Sequence, residues 1–237
     1  MNSPIRTSWI DLAPGFAGYL ALPPSGYGPG LVLWQEIFGV NEHIQAVAHQ
    51  YALAGFVVLA PDVFWRQAPR VELGYDGSNR ERAVQLMQAC QANEALADIG
   101  LAVQAIRAQP QVTGRVGSIG YCMGGRMAYL TAATTTVDAA VAYYGGGIQN
   151  LLDRADAIGC PLQLHYAERD AHIPLAAVEQ VRQRLLNRAG GAPTEVHVYA
   201  GADHGFNCWA RASYHPASAA LALGRTVGFL AQHLFVV

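Results

Sequence analysis

Short runs of apolar or β-branched residues recur along this chain, and longer segments with helical spacing of apolar positions lie between most of them. The runs are Phe16–Leu22, Leu31–Trp34, Phe56–Ala60, Val116–Ile119, Ala139–Tyr143, Leu162–Tyr166 and Glu195–Tyr199. Several are apolar almost throughout, as strands buried on both faces of a parallel sheet must be. The intervening segments Glu42–Ala54, Asn79–Ala108, Gly124–Thr134, Leu175–Arg188 and Ala217–His233 read as helices. Parallel strands need crossover connections, and the crossing helices cover both faces of the sheet. The expectation is therefore an α/β fold, a mostly parallel sheet with helices on both faces, in one domain spanning 1–237. Pro23–Gly30 is expected to form a hairpin loop between the first two strands.

Composition removes several alternatives. Hydrophobic residues make up 52 % of the chain and charged residues 14 %, ample for a core and unlike a disordered chain. A formal net charge of −2 gives no reason to expect nucleic acid or an anionic membrane as partner. The four cysteines, at 90, 122, 160 and 208, are widely spaced with no C-x-x-C pair, which argues against a disulfide scaffold or zinc site. The opening MNSPIRTSWIDLAPG lacks the apolar run of a signal peptide, and no stretch reads as a membrane span. A soluble, cytoplasmic protein is expected.

One cysteine stands apart. Cys122 lies in Ser118-Ile119-Gly120-Tyr121-Cys122-Met123-Gly124-Gly125, where a strand passes into a helix. Gly120-x-Cys122-x-Gly124 is the thiol version of the G-x-S-x-G turn, which presents a nucleophile at the end of a strand. The helix that follows points its positive end at the sulfur, favouring thiolate. Cys90, Cys160 and Cys208 have no such frame and read as packing residues.

A nucleophilic thiol needs a base and a group that orients the base. Asp170 follows the strand Leu162–Tyr166, and His204 follows Glu195–Tyr199, giving the chain order nucleophile, acid, histidine. Among the other histidines, His43, His49, His215 and His233 fall in or beside helices and read as surface or cap residues, while His165 and His197 lie inside strands. His172, close to Asp170, is the competitor for the base. Asp203 adjoins His204, and neighbours in a chain seldom orient one another this way, so Asp170 is preferred. No metal-binding spacing supports a metal site.

Acyl transfer also needs N–H groups aimed at a developing oxyanion. Met123 follows the nucleophile, and Ile37 lies in the loop Trp34-Gln35-Glu36-Ile37-Phe38-Gly39-Val40-Asn41 after an earlier strand. Glu36 closes that strand near the expected sulfur, where it could accept the thiol proton or hold it at rest.

Taken together, Gln35-Glu36-Ile37-Phe38-Gly39-Val40-Asn41, Ala60-Pro61-Asp62, Arg66-Gln67-Ala68-Pro69, Gly120-Tyr121-Cys122-Met123-Gly124-Gly125, Tyr143-Tyr144-Gly145, Asp170 and His204-Gly205-Phe206 resemble the dienelactone hydrolases (carboxymethylenebutenolidases) of the α/β-hydrolase superfamily. The resemblance covers nearly the whole chain. It implies a Cys122–His204–Asp170 triad, Glu36 interacting with the resting thiol, Ile37 and Met123 as oxyanion donors, and Phe38, Arg80 and Tyr144 at the substrate. It also implies hydrolysis of a carboxylate-bearing enol lactone to maleylacetate in aromatic-compound breakdown, by a monomer without cofactor. The family's best-known members bind the substrate carboxylate with two arginines. Arg80 matches one. The other is expected just after the histidine, where this chain has Gly205-Phe206-Asn207-Cys208, and the next arginine is Arg211. Val84 and Met87 stand where the family often has aromatic pocket residues.

Overall fold

The computed structural model describes residues 4–235, so the first three and last two residues of the expected 1–237 span lie outside the described residues. Eight strands form one sheet: β1 (Arg6–Ala13), β2 (Phe16–Leu22), β3 (Gly28–Trp34), β4 (Val57–Pro61), β5 (Val112–Tyr121), β6 (Ala139–Tyr143), β7 (Leu162–Ala167) and β8 (Thr194–Tyr199). Their order is β1-β2-β4-β3-β5-β6-β7-β8. The pairs β1–β2 and β2–β4 are antiparallel, and the ladders from β4 through β3 to β8 are parallel.

Every residue of β3, β4, β6 and β7 is buried, as the apolar composition of β3, β4 and β6 requires; β7 also buries Gln163 and His165, which pair with each other at 2.9 Å. Six helices cross between or flank the strands: α1 (Glu42–Leu53), α2 (Gly77–Ala89), α3 (Ala92–Arg107), α4 (Met123–Thr134), α5 (Leu175–Leu186) and α6 (Pro216–Leu234). Asn41 caps α1 through Oδ1, which accepts from the Ile44 N–H at 3.2 Å. Chain order reverses about β3, since β4 goes to one side of it and β5 to the other. A ligand crevice is expected at such a switch point, off the carboxyl ends of the strands.

Three local expectations are corrected. Strand β1 was not among the expected strands; it is a largely exposed edge strand, and Gly15 at φ +80° turns it into β2. Pro23–Gly30 is no hairpin loop, because β2 and β3 are not paired: β4 lies between them. The expected helix Asn79–Ala108 is two helices that break at Cys90 and Gln91, both in extended conformation. α3 buries Ile99, Ala102, Val103 and Ile106, whereas α2 buries only Ala83 and Leu86. The polar α2 is thus set away from the core.

Candidate active site

Cys122 is the single residue between β5 and α4, with φ 56° and ψ −115°. Such a conformation costs an L-residue on the order of 1–3 kcal/mol and persists only where the surroundings fix it. Here the Cys122 N–H donates to the Tyr143 carbonyl at 3.0 Å, and Gly125 N–H donates to the Cys122 carbonyl at 3.0 Å. The flanking glycines let three backbones converge. A Cβ on Gly120 would stand 2.0 Å from the Gly124 carbonyl oxygen, and one on Gly124 would stand 2.2 Å from that of Trp34. The turn and the end of β3 are therefore in direct contact, which brings Glu36 and Ile37 beside the sulfur's turn.

The loops after β7 and β8 bring the other groups. His204 Nε2 lies 3.1 Å from Cys122 Sγ, and His204 Nδ1 lies 2.7 Å from Asp170 Oδ2. Asp170 Oδ1 accepts from the backbone N–H groups of His172 at 2.8 Å and Ile173 at 3.2 Å, so the carboxylate is oriented by its own loop. Glu168 ties that loop to the next by accepting from the Gly201 N–H at 2.7 Å. Burial opposes charge on His204, but hydrogen bonds to Asp170 and Cys122 outweigh it and push its pKa up to about 10. A protonated ring donates Nδ1–H to the acid and Nε2–H to the sulfur.

Three of the expected residues therefore meet in one constellation, and the two rivals do not. Asp203 is exposed. His172 is exposed at the mouth, its ring 5.1 Å from that of His204, and its contact with Asp170 is through its backbone. Around the sulfur is a cavity of about 210 Å³, walled by Ile37, Phe38, Met123, Val84 and Met87, with His204, Arg80, Arg126 and Arg211 supplying charge. Met123 opens α4, and a first helical residue has no intrahelical acceptor for its N–H.

Two expected residues sit differently from the simplest reading. Tyr144 is fully buried and packs edge-on behind His204 at 5.0 Å, its φ at 35°, instead of lining the cavity. Glu36, 1 % exposed, meets Arg211 Nη1 at 3.4 Å and accepts from the Tyr75 hydroxyl at 3.3 Å, while the sulfur's partner is His204. Burial pushes the Glu36 carboxyl up, against the pull of Arg211, His204 and Tyr75.

Arg211, in the sequence merely the next arginine after the expected place, is carried to the site by the fold of its loop. Residues 205–215 fold back on themselves: Cys208 N–H donates to Gly205 O, Arg211 N–H to Cys208 O, and His215 N–H to Phe206 O. Gly205, at φ +79°, has the Arg211 guanidinium where a Cβ would be, 2.4 Å from Nη1. An arginine seven positions past the histidine thereby faces the same cavity as Arg80. No spacing rule would have found it.

His43 also departs from expectation. It is buried, not a surface or cap residue; its ring stacks edge-on against Trp209 at 4.2 Å, and neither ring nitrogen has a hydrogen-bond partner among the described residues. Burial, with the nearby Arg211 charge, pulls its pKa down to about 4. A ring kept neutral in the fold but able to protonate near 6.5 when unfolded costs stability as pH falls through that interval. Between pH 6.5 and 4 the wild type should lose about 3 kcal/mol through this group, at roughly 1.36 kcal/mol per unit. Urea midpoints across that range should show a shallower acid-side decline for His43→Phe.

A strained strand–turn–helix corner on a sheet of this order, with an acid and a histidine on the following loops, is the arrangement of an α/β hydrolase. The family model for the dienelactone hydrolase family matches residues 16–234. Carboxymethylenebutenolidase of Pseudomonas putida is 34 % identical over 218 residues, 91 % of each chain, and carboxymethylenebutenolidase 1 of Cupriavidus pinatubonensis is 32 % identical over 219 residues, 92 % of each. The crystal structure of a Klebsiella pneumoniae protein assigned as a dienelactone hydrolase superposes with a TM-score of 0.82 at 33 % identity, covering 96 % of this chain and 99 % of that one. The chain belongs to the dienelactone hydrolase family, and it is a carboxylic ester hydrolase acting on a small ester or lactone. Among the described residues, no helix is long and apolar enough to cross a membrane.

Proposed function

We propose that the protein is a cysteine-dependent lactone hydrolase that opens a carboxylate-bearing enol lactone, dienelactone or a near analogue, to maleylacetate in the breakdown of aromatic compounds. The observation that carries this reading is the chain of contacts Cys122 Sγ to His204 Nε2 at 3.1 Å and His204 Nδ1 to Asp170 Oδ2 at 2.7 Å. In this reading Cys122 is the nucleophile, His204 the base and Asp170 the group that orients it. One catalytic domain, 1–237, acts as a cytoplasmic monomer without cofactor; the family match over 16–234 supports the single domain.

The sulfur, its proton held on His204, adds to the lactone carbonyl carbon. Oxygen charge develops toward the N–H groups of Ile37 and Met123, and losing one such donor typically costs on the order of 10²–10³ in turnover. The ring C–O bond then breaks, and the departing enol oxygen takes the His204 proton. A thioester remains on Cys122. His204 removes a proton from water, the hydroxide displaces the sulfur, and the free acid leaves.

Arg80 and Arg211, facing one cavity, suit a substrate carboxylate, since a guanidinium offers two parallel donors to both oxygens. Glu36 already holds Arg211. A substrate carboxylate would compete with it and shift the Glu36 proton. The aliphatic walls Val84 and Met87 favour, as a second reading, another ester, lactone or thioester handled by the same thiol.

Loss of dienelactone ultraviolet absorbance on adding purified protein tests the proposal. Rapid loss that disappears with Cys122→Ala is the expected result. No loss, together with thiol-dependent cleavage of aryl esters or thioesters, overturns the lactone and leaves the second reading.

A further inference from the structure

We propose that the substrate extends past the catalytic cavity, and that an apolar arm of its acyl part, ending in an anionic group, occupies a second cavity beside α4. This rests on the second reading above, another ester or thioester cleaved by the same thiol, and adds a substrate class to it.

The second cavity measures about 320 Å³ and shares Met87, Met123 and Arg126 with the catalytic one. Met123 is the residue next to Cys122, so the two spaces adjoin beside the sulfur, with these three residues as dividers. Two of the three dividers are methionines, unbranched and readily rearranged. The volumes also argue for continuity. Small-molecule sites span roughly 300–1,000 Å³; the catalytic cavity at about 210 Å³ falls short, and its neighbour does not. A product-sized acid would fit beside Cys122, but a larger acyl group would have to enter the adjoining space.

The walls specify what that group is. Val63, Leu96, Met127, Leu130 and Leu151 make the body of the cavity apolar; Arg126 stands where it meets the catalytic cavity, and Arg154 lines it away from that junction. Neither arginine has an ion-pair or hydrogen-bond partner for its guanidinium among the described residues, a state shared by Arg80, Arg82 and Arg169, so what sets Arg154 apart is its place on an apolar pocket. Arg126 lies over Gly147, where an added Cβ would stand 3.3 Å from its Nη1. An apolar pocket whose lining beyond the junction carries the unpaired Arg154 guanidinium matches a hydrocarbon chain with a terminal carboxylate. The acyl side is the half that stays bonded to Cys122 through both steps, so it gains most from a subsite beginning at Met123.

The test compares p-nitrophenyl acetate, p-nitrophenyl octanoate and the mono-p-nitrophenyl ester of octanedioic acid with the full chain. The expected ratio of kcat/KM, octanedioate ester over acetate, is about tenfold or more, given charge-assisted hydrogen bonding. Ala95→Trp and Leu130→Trp fill the second cavity and should lower that ratio by about tenfold. Arg154→Met should lower it for the octanedioate ester and not for the octanoate. Acetate turnover in each sample shows that the variant has folded. Free octanedioate titrated into Cys122→Ala supplies a second readout, its binding weakened by Ala95→Trp. A ratio unmoved by either tryptophan, or absence of octanedioate binding, overturns the subsite; equal rates for octanoate and octanedioate esters overturn the anionic end. Acetate hydrolysis that survives Cys122→Ala sinks the thiol reading instead.

Discussion

Cys122→Ala should lower kcat by on the order of 10⁴-fold or more, because in the proposed mechanism it removes the nucleophile and so idles the base and its acid. His204→Asn should fall nearly as far, and the double variant should be little worse than either alone, since the two act as one unit. Cys122→Gly separates chemistry from architecture. It is equally inactive, but glycine is at ease at φ 56°, where cysteine is strained. Relief of that strain should raise stability by about 1 kcal/mol, and a chain of this size then melts roughly 2–4 °C higher. Alanine carries a Cβ like cysteine and gains none of this. Calorimetry of the three proteins reads the difference: a Cys122→Gly melting point at or below that of Cys122→Ala would show that the turn is not strained. Trapping of a thioester by mass spectrometry after mixing with substrate, absent in Cys122→Ala, reads the chemistry directly.

The sequence carries the architecture of the site because each of its groups follows a strand end. In a parallel sheet those ends share one edge, so Glu36, Cys122, Asp170 and His204 could be brought together from alternation and chain order alone. The fold lost detail where local pattern and tertiary demand part. β1 mixes exposed polar residues with half-buried apolar ones, as an edge strand does, and so shows no apolar run. The break between α2 and α3 falls at Cys90-Gln91 with neither glycine nor proline to mark it; it is imposed by the different depths to which the two helices sink. Pro23–Gly30 looks like a turn and is one in part, but strand neighbours are fixed by β4 entering between β2 and β3, a long-range event. His43 reads as a helix-surface residue until Trp209, distant in sequence, covers it.

Arg211 illustrates the same limit in the site itself, and its removal should have the largest effect on stability. Arg211→Met leaves the Glu36 carboxylate, 1 % exposed, with the Tyr75 hydroxyl as its one side-chain hydrogen-bond partner among the described residues. Breaking a buried pair from the cationic side typically costs about 3–5 kcal/mol, as an uncompensated charge remains. Glu36→Gln is expected to cost far less, about 1 kcal/mol, because the Arg211 side chain is 23 % exposed and keeps contact with water. The double variant should therefore be more stable than Arg211→Met alone. The sign of the pH dependence follows from the same charge. A carboxyl held above its ordinary 4.5 is protonated in the fold before it is in the unfolded chain. Its cost to stability thus sets in as pH rises through that interval and is complete above the folded value. Without Arg211 that folded value climbs further, so the deficit of Arg211→Met should be small near pH 5 and grow toward pH 8. Urea unfolding of the wild type, both single variants and the double variant at the two pH values reads all four corners. A deficit that does not change with pH, or one that Glu36→Gln fails to relieve, would show that Arg211 acts through packing on Phe38 and Tyr75 and not through the buried carboxylate.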